Sequence, residues 1–413
     1  MAELHAQQVP AHVPPDRVFE FDLYGLTDDP RLRDGVQTGL TFLHREAPDV
    51  FFTPANSGHW VVTRERLMRE VLMSPERFSS AQLTVPRTAQ QQPLIPLTLD
   101  PPEHTPYRKV LMQFFAPKVV AAMEGDIRRR AAVLVAAVRE AGECDFLQQV
   151  AMPLPVQVFM DLMGLPSTMF SEFRRIVVDW FGSPNGPRRQ ALAVEVLGHL
   201  RSLIADRRTA PRDDLVSALM VQSVEGRVLR QDEIESMCFL LFLAGLDTVA
   251  NAAGFMFARL ATMPDMQERL ANEPDLVSRF IDETLRMSGV VSTARIVTQD
   301  TELGGAHLKQ GDMILCPLAL AGLDETANAD PLHFKLDRKG ATHLMFATGP
   351  HLCVGHFLAR LELRALLAEW LRAVPHFRLD PSLRPQVKIG SMTAMLSLAL
   401  KWGGEERVLA EHG

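Results

Sequence analysis

Cysteine is scarce in this 413-residue chain, and its four copies, Cys144, Cys238, Cys316 and Cys353, lie far apart with no Cys-x-x-Cys pair. That spacing excludes a zinc ribbon, a dithiol redox motif and a disulfide scaffold, and it fits a reducing cytoplasm. Basic charge is not in excess either. Lys and Arg number 43 against 50 Asp and Glu, a formal net charge of -7, which excludes a global nucleic-acid footprint. The first 25 residues, "MAELHAQQVPAHVPPDRVFEFDLYG", contain no basic start followed by an apolar run, so neither a signal peptide nor a membrane anchor is expected. The longest unbroken apolar stretch, "CFLLFLAGL" at Cys238–Leu246, is short of the roughly 20 residues that cross a bilayer. What is present is ordinary for a soluble, cytoplasmic, folded chain: 47% hydrophobic and 23% charged residues, enough for a large core. No shift in composition marks a boundary, and a single domain over residues 1–413 is expected.

The apolar periodicity is mostly helical. "HWVVTRERLMREVLMSPERFSS" reads as a strand over His59–Thr63 followed by an amphipathic helix, and a further helix is expected from about Pro106. Ala81–Pro96 has no clean period and reads as a loop or frayed helix of the kind that carries binding residues. Helical segments broken by Pro and Gly then dominate, among them the stretch Met169–Arg208. A long one over Gln231–Met263 is interrupted at "AGLDT", and another covers Asp275–Met287. "ARIVTQDTEL", "DMILCPLAL" and Gly390–Trp402 read as strands. The fold class is therefore mainly α with a smaller β region, an α+β arrangement.

One cysteine stands out by context. In "FATGPHLCVGHFLAR", Cys353 lies between Gly349 and Gly355, directly before a strong helical pattern. Glycines permit positive φ and close backbone approach, and a helix N-terminus stabilises a thiolate. A lone Cys is most often an inert buried side chain, so the pattern around it decides. Phe346, Gly349, His351, Cys353, Gly355, Ala359 and Arg360 form Phe-x-x-Gly-x-His-x-Cys-x-Gly-x-x-x-Ala-Arg, which resembles the haem-binding signature of the cytochrome P450 superfamily. The resemblance implies haem b held between the long oxygen-binding helix and the helix after the Cys loop. Cys353 would be the axial ligand to its iron, Phe346 and Gly349 would shape the loop beside it, and His351 would reach a propionate.

Other segments carry the same resemblance. "DETLR" places Glu283 and Arg286 at i, i+3 on one helical face, and such pairs alone are usually solvated surface charges. The resemblance makes them a buried structural lock completed from a later "PLHF" segment, with His333 as the expected third member. "AGLDTV" carries Ala244, Gly245, Asp247 and Thr248. A Gly inside a helix costs about 1 kcal/mol relative to Ala, and an Asp in an apolar run costs more unless it is used. Thr248 can simply bond the carbonyl four residues back and bend the helix. The resemblance instead makes Asp247 and Thr248 the catalytic acid-alcohol pair that delivers protons to dioxygen. His104 and Arg108 in "PPEHTPYRK", with Arg295 in "STARIV", are implied propionate contacts.

The likeness covers nearly the whole chain and is nearest to the soluble bacterial class, in particular the camphor 5-monooxygenase type. It implies a monooxygenase that hydroxylates a small hydrophobic substrate, a terpenoid or norisoprenoid of camphor-like or ionone-like size. Electrons would come from an iron–sulfur ferredoxin and an NADH-dependent reductase, with Arg108, Lys109 and Arg338 as candidate docking cations. Gln92, Leu94, Leu97, Leu243, Ala244, Val291 and Met392 would line the substrate pocket, and Thr293 would stand where related enzymes carry an Asp near a propionate. Alternatives are a hydroxylase of small aromatics, a peroxygenase or haem-thiolate isomerase, and a non-catalytic haem or gas-binding protein. The acid-alcohol pair speaks against the peroxygenase and the isomerase, and the output domain to which sensors usually attach is not expected in this length.

Overall fold

The computed structural model describes residues 9–33, 35–87, 93–182 and 187–403. A five-stranded sheet comprises β1 Val50–Thr53, β2 His59–Val62, β3 Phe78–Ser79, β4 Ser292–Val297 and β5 Met313–Pro317, in the order β1-β2-β5-β4-β3. β1 and β2 form an antiparallel hairpin with Val50 opposite Val62, and β5 runs parallel to β2 and antiparallel to β4. Every residue of β1, β2 and β5 is buried, so these strands read as continuous apolar runs rather than as alternating ones. Their side chains form one hydrophobic core, and a second, larger core is built by the helices.

The helices used below are α1 Glu65–Met73, α2 His104–Phe114, α3 Phe170–Gly182, α4 Pro187–Thr209, α5 Gln231–Gly245, α6 Asp247–Leu260, α7 Leu276–Met287 and α8 His356–Ala373. A hairpin, β6 Gln386–Lys388 and β7 Ala394–Ser397, follows. The mainly α, α+β expectation holds, with local differences. α2 starts at His104, two residues before the expected point, because Pro106 falls in the first turn, where a missing N–H costs nothing. "DMILCPLAL" is extended only through Pro317; Leu318–Gly322 is a short helix, as its Ala content favours. Gly322 is required there, since a Cβ would lie 1.9 Å from the Arg286 carbonyl oxygen.

α5 and α6 are two halves of one long helix broken at Leu246. Taken together, Gln231–Leu260 is long and apolar enough to cross a membrane, which the unbroken apolar run alone is not; 67% of its most apolar window is buried inside the protein, so it is a core helix. Its start is fixed by Glu233, whose carboxylate accepts from the Arg230 N–H at 2.7 Å, from Arg227 at 2.7 and 2.8 Å, and from the Tyr107 hydroxyl at 2.7 Å. Arg227 chiefly, with Tyr107 and the Arg230 N–H, holds the Glu233 carboxyl down to about 2. Because Tyr107 belongs to α2, the same carboxylate ties α2 to the N-terminus of α5.

Candidate active site

Cys353 sits at the end of a loop that closes on itself: its N–H donates to the Phe346 carbonyl at 2.8 Å, and α8 begins three residues later. Gly349, at φ +71°, serves the path of this loop. A Cβ there would lie 2.7 Å from the Leu72 carbonyl oxygen, so the glycine permits contact with α1. The Phe346 ring is covered by the Arg360 guanidinium at 4.5 Å, and Arg360 also donates to Asp282 at 3.1 Å. Cys144, Cys238 and Cys316 are buried free thiols pushed up to about 12 by burial. Cys353 differs. It is accessible, yet burial raises its pKa, opposed by the Gly355 N–H and by the charges of Arg108 and Arg360.

Beside it lies a basic cluster. The His104 and His351 rings are 4.5 Å apart, and Nε2 of each is buried without a hydrogen-bond partner. Arg108, one turn along α2 from His104, donates to the Leu352 carbonyl. Arg295 on β4 is 3% exposed and donates to Thr293 Oγ1 at 2.9 Å and to the Ala294 carbonyl at 2.7 Å. Burial chiefly, then the charges of Arg295, His104 and Arg108, drives His351 down to about 3. Among the described residues none of these four has a carboxylate within ion-pairing distance. Two buried imidazole nitrogens without a partner, beside two arginines without a counter-ion, are costly unless an anion joins them. The donor set therefore fits the two carboxylates of a haem.

The helix break supplies a third component. Ala244 and Gly245 are exposed and Thr248 is partly exposed, although the helix around them is buried, and a Cβ on Gly245 would meet nothing within 4 Å. The Thr248 hydroxyl donates to the Ala244 carbonyl at 3.0 Å, the local bond that the sequence left open. Asp247 is 3% exposed, and its Oδ2 has no partner. Burial pushes its carboxyl up to about 7, against smaller opposing effects of Asn251 and Arg189.

Of the expected pocket residues, Val291 and Met392 meet in a β-bridge, and Leu94, Leu243 and Val291 pack against the helical core. Leu97 is partly buried in the turn that follows Leu94, and Gln92 lies outside the described residues. The Ser236 hydroxyl, two turns before Leu243, donates to the Pro93 carbonyl at 2.6 Å and accepts from the Ile95 N–H at 2.8 Å, which ties this loop to α5.

Two expectations are corrected. The third member of the Glu283–Arg286 cluster is Arg338 and not His333. The His333 side chain is 76% exposed and pairs with Asp330, whereas the Arg338 side chain is 8% exposed and donates to Glu283. Buried in this way, Arg338 is also removed from the candidate docking cations. Sequence reasoning further missed Asn251 and Glu362, both buried polar residues inside helices. An uncharged or acidic polar residue within an apolar helical run was the available signal.

The family model described as cytochrome P450 matches residues 152–399. The chain belongs to the cytochrome P450 family. A curated relative from Sinorhizobium fredii, "Probable cytochrome P450 127A1", is 34% identical and aligns over 95% of this chain and 97% of its own. The solved structure of CYP101J2 superposes with a TM-score of 0.89 at 34% identity, covering 96% of this chain and 100% of that one. CYP101C1 gives 0.88 at 32% identity with the same coverage. This P450 is accordingly a haem-binding monooxygenase of the class to which the CYP101 proteins belong.

Proposed function

We propose that this P450 hydroxylates a compact hydrophobic molecule, a camphor-like or ionone-like terpenoid or norisoprenoid, with electrons from an iron–sulfur ferredoxin. The observation that carries the catalytic part is the helix break, where a buried acid of pKa about 7, Asp247, adjoins an accessible hydroxyl, Thr248. Haem, once bound, supplies the iron that activates dioxygen, and thiolate ligation favours O–O cleavage. Cys353 is assigned as the ligand, with the Gly355 N–H stabilising its charge. His104, Arg108, Arg295 and His351 hold the two carboxylates, and Phe346 and Gly349 shape the loop.

Asp247 can both hold and release a proton near neutral pH, as an efficient general acid must. Thr248 passes that proton to the accessible face, which Ala244 and Gly245 keep open. Leu94, Leu97, Leu243, Ala244, Val291 and Met392, joined by Gln92, offer an apolar lining with one amide, suited to a small ligand bearing one oxygen. We assign the whole chain, 1–413, to a single P450 domain, and its four free thiols support a cytoplasmic location. Ferredoxin docks over the Cys loop beside Arg108 and Lys109.

Optical titration of the ferric haem protein tests the substrate class. Camphor or β-ionone should convert low-spin to high-spin haem completely, while small aromatics should not. A response to aromatics alone would replace the terpenoid reading with the aromatic one. Cys353→His tests the ligand: it should abolish the red-shifted band of the reduced carbon monoxide complex.

A further inference from the structure

We propose that Asn251 is a positioning residue that couples the substrate-facing loop at Met392 to the acid at the helix break; the inference rests on the assignment of Met392 and Asp247 above. Asn251 is 1% exposed and lies one helical turn beyond Asp247. Its Nδ2 donates to the Asp247 carbonyl at 2.8 Å and faces Met392 Sδ at 3.6 Å, while its Oδ1 accepts the Met395 N–H at 2.7 Å. A side-chain amide has two N–H donors and one carbonyl acceptor. Here both ends are engaged, one on α6 and the other on the strand that follows the loop.

The surroundings leave this amide little freedom. One turn further along α6, a Cβ on Gly254 would lie 2.9 Å from Met395 Sδ, so helix and strand are in direct contact. On its other side the loop is held by Ser292 N–H to the Ser391 carbonyl at 2.9 Å and by Thr393 N–H to the Val290 carbonyl at 2.7 Å. Met392 is therefore a partly buried side chain on a loop pinned at both flanks. A ligand that presses on Met392 acts on the amide behind it, and the amide's hold on the Asp247 carbonyl changes in response. Asp247 has a carboxylate oxygen with no partner, so a small change at its backbone alters which group or water that oxygen can reach. Proton delivery then depends on an occupied pocket, which limits wasteful reduction of dioxygen to peroxide.

A double-mutant cycle on the haem-loaded protein tests this with no ligand present. Amide hydrogen exchange over residues 246–252 is compared in wild type, Asn251→Ala, Met392→Ala and the double variant. Met392→Ala should speed exchange there about tenfold when residue 251 is Asn and less than about twofold when it is Ala. Equal increments in the two backgrounds would overturn the proposal. If Asn251→Ala does not load haem, Asn251→Ser completes the same cycle with the same two outcomes. Failure of camphor and β-ionone to shift the ferric spectrum of the wild type would count against the terpenoid reading, and the exchange cycle would still decide on Asn251.

Discussion

Arg338 Nε lies 3.0 and 3.1 Å from the two carboxylate oxygens of Glu283. Arg286 takes the same two oxygens at 2.8 and 2.9 Å, so one buried carboxylate holds two guanidinium groups. Both arginines spend their remaining N–H groups on backbone carbonyls. Arg286 reaches Gly322 and Pro331, and Arg338 reaches Ala329, Asp330 and His333. The cluster thus pins the irregular segment ahead of the Cys loop to α7. Burial alone would raise the Glu283 pKa, but Arg286, the Lys335 N–H and Arg338 together hold it below the ordinary carboxylate range.

Removing Arg338 leaves Glu283 paired with Arg286 but strips the carboxylate of its second guanidinium and leaves three backbone carbonyls without that donor. Arg338→Ala should cost about 1.5–3 kcal/mol, the scale of lost hydrogen bonds to a charged group, whereas His333→Ala, at an exposed side chain, should stay within about 0.5 kcal/mol. Urea unfolding of the two haem-loaded variants measures both. Equal losses would return His333 to the cluster.

The placement of the third member shows where sequence reading ends. Glu283 and Arg286 are fixed relative to each other by the 3.6-residue turn, so their spacing alone announces the pair. Their partner arrives from an irregular segment in which no period relates chain position to direction. His333 was the nearest basic residue to the expected motif; Arg338, five residues on, has the longer side chain and the reach. The same contrast holds across the site. Cys353 was legible because a dense motif of fixed spacing surrounds it ahead of a helix, and the Asp247–Thr248 break because it interrupts a strong helical pattern with residues that cost free energy. Asn251 was not, because its value depends on Met392 and Met395, more than 140 positions away, which only folding brings near.

Thr248 makes a local hydrogen bond and also presents accessible surface, so its two possible roles separate by mutation. Thr248→Ala should bind substrate with an unchanged optical shift, because the hydroxyl is not part of the apolar lining. Electrons should then leave as hydrogen peroxide, and product formed per NADH should fall roughly tenfold or more, the scale of a lost proton-transfer group. Product and peroxide are measured against NADH consumed. Full coupling in the variant would confine Thr248 to bending the helix.

Glu362 on α8 is 3% exposed, its Oε2 has no hydrogen-bond partner, and burial pushes its pKa up to about 8. The folded protein therefore binds this proton up to about pH 8, while the unfolded chain, with an ordinary value of 4.5, releases it much earlier. Between those values the folded state carries more protons than the unfolded one, so stability falls as pH rises. Glu362→Gln removes that slope. The variant should melt close to wild type at pH 4 and at a higher temperature than wild type at pH 8, as read by calorimetry. A constant difference across the range would mean that Glu362 is ionised in the folded protein.

Lys109 is exposed on α2 and has no ion-pair partner among the described residues, whereas its neighbour Arg108 is partly buried and bonded to the Leu352 carbonyl. Reversing the exposed charge should therefore disturb an acidic partner without disturbing the haem site. Lys109→Glu should slow reduction by ferredoxin several-fold at low salt, and the difference should shrink as ionic strength rises and the Debye length falls below about 10 Å. Stopped-flow reduction across a salt series measures this, with the ferric spectrum as control for the site itself. A salt-independent loss would place the effect inside the protein, and unchanged kinetics would move the docking surface away from Lys109.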